Sequence, residues 1–130
     1  MPSIFTKIIN REISGYIVAE DENYIAFLDI MPLVQGHVLV VPKKEVNYIF
    51  DMEPEMLSGL HLFAQQVAKA MDKTIKCTRI GVAVIGLEVP HVHVHLVPLR
   101  TMDDINFTRP KLKPSKEELA ETAEKIKGGF

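Results

Sequence analysis

At 130 residues, with 47% apolar and 25% charged positions, the chain has the make-up of one soluble globular domain built on a single core. Its net charge of −2 gives no overall attraction to nucleic acid or to an anionic membrane, so any phosphate must be recognised by a local site. A lone cysteine, Cys77, excludes an intramolecular disulfide and reads as a small inert residue, and no apolar run approaches the ~20 residues that span a bilayer. With no basic-then-apolar leader at the N-terminus, a cytoplasmic location is expected.

In chain order, Ile4, Phe5, Ile8 and Ile9 recur at helical spacing and predict a short helix over 3–9. Gly15 ends that pattern. Tyr16–Glu20 and Tyr24–Asp29, separated by the polar turn Asp21-Glu22-Asn23, predict a hairpin. A Pro/Gly-punctuated loop, Met31–Gly36, delivers the strand His37–Pro42, with Gly36 allowing a tight turn just before the histidine. The longest helix is predicted from Glu53-Pro54, with Leu57, Leu60, Ala64, Val67, Ala68 and Met71 on its buried face. A polar connection over 73–78 leads to a buried strand, Ile80–Ile85, and a short link, Gly86–Pro90. Residues 101–130 form an extension bracketed by Pro110 and Pro114. In it Ser115-Lys116-Glu117-Glu118 reads as a capping box that opens a helix to about Lys127, an accessory element for the domain or a partner.

The stretch that carries chemistry is His91-Val92-His93-Val94-His95-Leu96, which holds three of the five histidines. On a β-strand, alternate side chains share a face, so the three imidazoles line up about 6.5–7 Å apart while Val92, Val94 and Leu96 enter the core. A helix would scatter them. Three imidazoles are poor core material, and two uses compete. They could ligate a metal, with His37 as a fourth ligand, or one could act as a nucleophile towards phosphorus while its neighbours donate to the phosphoryl oxygens. Spacing alone does not choose between them.

Taken with Gly36-His37-Val38-Leu39-Val40-Val41-Pro42-Lys43 and Ala26-Phe27-Leu28-Asp29-Ile30-Met31-Pro32, the triplet resembles the signature of the histidine-triad (HIT) superfamily, over Ser3 to about Leu99. That resemblance implies an α+β fold over residues 1–100, an antiparallel sheet of about five strands with one long helix, assembled as a homodimer. It also implies a nucleotide substrate, no cofactor, and transfer or hydrolysis at the α-phosphate. In this reading His93 is the nucleophile, His95 and His37 contact phosphate oxygens, and His91 orients His93. Phe27, Leu28 and Ile30 would form the base pocket and Asp29 would bind the ribose hydroxyls. Many branches carry a zinc site where this chain has Ser3, Thr6 and Glu45, so that metal is expected to be absent. Many also carry a hydroxyl before the histidines where this chain has Glu88, which is expected at the leaving-group side. The expected activity is that of a metal-independent phosphoramidase or nucleotidyl hydrolase. Its rivals are a dinucleoside polyphosphate hydrolase and a nucleotide-binding module with little turnover.

Overall fold

The structure is a computed structural model that describes residues 2–130. Its elements are α1 (Ile4–Ile9), β1 (Ile17–Glu20), β2 (Tyr24–Leu28), β3 (Val38–Pro42), α2 (Pro54–Thr74), β4 (Arg79–Ala83), β5 (Val94–Leu99) and α3 (Lys116–Lys127). The strands form one antiparallel sheet in the order β1-β2-β3-β5-β4, so the fold is α+β as the sequence predicts.

Alternation along the central strands divides the apolar residues between two faces. Ala26 and Leu28 of β2, Val38 and Val40 of β3, and Val94 and Leu96 of β5 pack in one core with Leu60, Val67 and Met71 of α2 and with Leu119, Ala123 and Ile126 of α3. Ile25, Phe27, Leu39 and Val41 face the other way, against Phe5 and Ile8 of α1. Both faces being covered, β2 and β3 are buried at every position. Among the described residues no helix is long and apolar enough to cross a membrane.

Three boundaries differ from the sequence reading. The long helix runs on to Thr74, whose hydroxyl donates to the Ala70 carbonyl (2.8 Å), and it buries Phe63 and Ala70 as well, with Leu57 and Ala68 half-buried against the same core. The strand expected to be buried at 80–85 is β4, at the sheet edge, where a neighbour on one side only leaves Val82 59% exposed. The histidine strand begins at Val94, because β3 pairs with it only over Val38–Val40 and the chain before it leaves the ladder. There the His91 amide donates to the Val89 carbonyl and the Val92 amide to the Val46 carbonyl (2.8 and 2.7 Å). The alternation nevertheless persists through this lead-in: Val92 joins the α2 core while the rings of His91 and His93 both stand edge-on to Phe5 of α1.

Candidate active site

The histidines are held by partners whose donor or acceptor role is fixed, and this fixes the tautomer of each neutral ring. A carbonyl can only accept, so His91 carries its proton on Nε2, which donates to the Pro42 carbonyl (2.8 Å). Its Nδ1 then accepts from the Ser3 hydroxyl (2.6 Å). Ser3 is the N-cap of α1: its oxygen also accepts the Thr6 amide, while its own amide and the Thr6 hydroxyl both donate to Glu45 Oε1 (2.7 Å each). Ser3, Thr6 and Glu45 thus converge on His91 through hydrogen bonds. His93 donates from Nδ1 to the His91 carbonyl (2.7 Å), which leaves the lone pair on its Nε2.

The second pair is fixed in the same way. An amide can only donate, so the Leu33 N–H places an acceptor at His37 Nδ1 (3.1 Å) and the proton on Nε2. That proton goes to His95 Nδ1 (2.9 Å), so His95 must carry its own on Nε2. No bond within the protein uses His93 Nε2 or His95 Nε2, yet among the described residues no buried side-chain nitrogen or oxygen lacks a partner. These two atoms therefore reach the space beside them. One is a bare lone pair, the other an N–H donor, and the ring centroids are 4.8 Å apart.

That space is a cavity of about 240 Å³ lined by His93, His95, His37, Asp29, Glu88 and Lys111, with Ile85, Gly86, Leu87 and Phe107. Asp29 directly follows β2; one oxygen accepts the Met31 amide (2.9 Å) and the other lies 3.9 Å from His37 Nε2. A second cavity, of about 260 Å³, lies against the same Asp29 and His37, with Leu28 and the extension residues Leu112–Pro114 in its wall. His91 is fully buried and sits behind His93. Phe27 is buried against Phe5 and reaches neither cavity, and Ile30 is 57% exposed outside both. The converging ligand atoms of Asp29, His37 and His95 lie within 4.8 Å of one another, but the two facing nitrogens already bond to each other. Holding a cation there would break that bond.

Two cavity residues were invisible in the sequence. Phe107 stands edge-on to His95 (centroids 4.7 Å apart, 70°), and Lys111 Nζ donates to the Phe107 carbonyl (2.7 Å). The segment carrying them is strapped across the loop between β2 and β3. The Leu112 amide donates to the Pro32 carbonyl (2.9 Å), and Arg109 Nη2 to the Leu33 carbonyl (2.6 Å). The only hint in the sequence is one phenylalanine and several cations in a stretch without periodicity.

Residues 10–102 match the family model of the HIT domain. The chain belongs to the HIT family. Among the relatives of this HIT protein is the adenosine 5′-monophosphoramidase HNT1 of Saccharomyces cerevisiae, 38% identical over 98 residues, which are 75% of this chain and 62% of that one. The asymmetrical bis(5′-nucleosyl)-tetraphosphatase of Schizosaccharomyces pombe is 31% identical over 83 residues, 60% of this chain and 46% of that one. In fold the HIT protein is similar to a Hit-like protein involved in cell-cycle regulation from Bartonella henselae, whose crystal structure holds an unknown ligand. Their TM-score is 0.85 at 34% identity, covering 98% of this chain and 96% of that one. Phe107 and Lys111 lie beyond the matched domain.

Burial disfavours the charged form of three rings in this HIT protein, His37, His91 and His95. It pushes His37 down to about 3, with His95 and Lys111 adding to the effect, and His95 down to about 4, with His93 and Lys111 adding. Burial lowers His91 too, against the Pro42 carbonyl and Glu45, which favour its charged form. An unfolded chain would protonate these rings at their ordinary value near 6.5, before the native state does. The unfolded state then binds more protons, so the stability from neutral burial is complete above about pH 6.5 and is lost as pH falls towards 4 and then 3. The urea midpoint is therefore expected to fall already between about pH 7.5 and 5, above most carboxylate titration. An unchanged midpoint over that window would mean that the native rings carry charge.

Proposed function

We propose that this HIT protein is a nucleotide phosphoramidase or nucleotidyl hydrolase acting at the α-phosphate of a nucleoside 5′-monophosphate conjugate. The observation that carries this reading is the pair of unused nitrogens. His93 Nε2 offers a lone pair, and His95 Nε2–H offers a hydrogen bond within the same cavity.

In the first step the His93 Nε2 lone pair forms a bond to phosphorus, the bond to the leaving group breaks, and that group departs with its electron pair and takes a proton. The imidazole becomes positive as the P–N bond forms. Its Nδ1–H already points at the His91 carbonyl, whose partial negative charge stabilises the cation without rearrangement. His95 donates to a non-bridging oxygen, held in the donating tautomer by His37. In the second step water forms a bond to phosphorus and gives up a proton to solvent, while the P–N bond breaks, its electron pair returns to His93 Nε2 and the nucleoside monophosphate leaves. Asp29 is placed to accept the ribose hydroxyls from the end of β2. Glu88, on the exposed link in the cavity wall, is placed to pass a proton to the leaving group. These steps draw only on the named side chains and on water.

The test is to trap the intermediate. With adenosine 5′-phosphoramidate labelled at phosphorus, rapid quenching in alkali is expected to leave an acid-labile adduct, mapped by mass spectrometry to His93. Turnover with no adduct on His93 under single-turnover conditions would overturn the reading.

A further inference from the structure

The cavity has an electrostatic shortfall that the histidines do not cover. Burial holds His37 and His95 uncharged, and two further ionisable side chains in the wall, Asp29 and Glu88, are carboxyl groups that bring no positive charge in either protonation state. A phosphate monoanion or dianion entering there meets one cation, Lys111. That ammonium is half-buried, and among the described residues it forms no ion pair. One of its three N–H donors is spent on the Phe107 carbonyl, which leaves two. Its position is set from two sides. The Phe107 ring rests on His95 and lies 6.0 Å from Nζ, and the backbone next to Lys111 is pinned where the Leu112 amide meets the Pro32 carbonyl. The ammonium is thus anchored to the residue that covers the phosphate-facing ring.

We propose that Lys111, supplied by the C-terminal extension, is a phosphate-binding residue of this site: its ammonium donates to a non-bridging oxygen of the phosphate that His93 attacks, and Phe107 is the residue that positions it. This rests on the nucleotide reading above. The role suits a site whose other donors are neutral, because a charge-assisted hydrogen bond is about twice as strong as a neutral one and strengthens as negative charge gathers on the phosphoryl oxygens.

The experiment is calorimetric binding of AMP and of adenosine to the wild type, Lys111→Met and Lys111→Arg. Lys111→Met keeps the aliphatic stem and removes the charge. It is expected to weaken AMP about 10- to 100-fold, the usual worth of a hydrogen bond to a charged group, and to leave adenosine within about 2-fold. Lys111→Arg is expected to recover most of the AMP affinity. Equal AMP affinity in wild type and Lys111→Met would overturn the assignment and leave the nucleotide reading intact. A parallel loss of AMP and adenosine would also overturn it, by making Lys111 a support of the pocket. Failure of the wild type to bind AMP would overturn the nucleotide reading itself, and the Lys111 role with it.

Discussion

His93→Ala is expected to lower turnover by at least about 10⁴-fold and to leave the protein folded, since removal of a nucleophile has effects of that order or larger. The ring makes one hydrogen bond, to the His91 carbonyl, and two edge contacts, to Phe5 and His95 at 4.9 and 4.8 Å between centroids. Losing these costs about 1–2 kcal/mol, within what a domain of this size tolerates. Steady-state turnover measured beside circular dichroism melting checks both halves. Activity within about tenfold of wild type, with melting unchanged, would remove His93 from the chemistry.

His37→Ala is expected to act on both stability and rate. His37 is 1% exposed and sits between two fixed partners. Its removal leaves the Leu33 N–H with no acceptor, His95 Nδ1 with no donor, and a void the size of an imidazole. Together these cost about 3–5 kcal/mol. Once Nδ1 of His95 has no donor, that ring is free to carry its proton on either nitrogen. The Nε2–H proposed to meet the phosphate is then no longer enforced, and kcat is expected to fall about 10²-fold. Two milder changes separate the effects. His37→Gln keeps a donor near the Nε2 position, and His37→Asn keeps an acceptor near Nδ1. Gln is expected to recover rate better than stability, and Asn the reverse, as read by kcat and by urea unfolding. If both behave like alanine, the tautomer of His95 does not govern the rate.

What could be read beforehand follows from where each residue's partner lies. The alternation of Val92, Val94 and Leu96 with the histidines needs only local backbone geometry, and it holds even where the chain leaves the sheet. The hairpin of β1 and β2 was legible for the same reason: Asp21 closes its turn by accepting the amides of Asn23 and Tyr24, two and three residues on. Phe27 and Ile30 show the limit. Their neighbourhood is set by Phe5 and by the course of the next loop, so sequence proximity to Asp29 did not place them beside the cavity. The exposure of Val82 depends on β4 being last in the strand order, which no local pattern encodes. Phe107 and Lys111 were the hardest case. They meet His95 only because Arg109 and Leu112 tie the extension to a loop some 75–80 positions earlier in the chain.

That tie has a consequence for how such proteins diverge. Leu33 is gripped at both ends of one residue: its amide sets the protonation pattern of His37, and its carbonyl receives the guanidinium of Arg109. Spacer length between β5 and α3 is therefore coupled to the orientation of His37, more than 60 positions earlier, and of the His95 ring bonded to it. An insertion before Arg109 would be felt at His95, although that stretch is a connection holding only the short 3₁₀ helix Met102–Ile105, where extra residues would ordinarily be harmless.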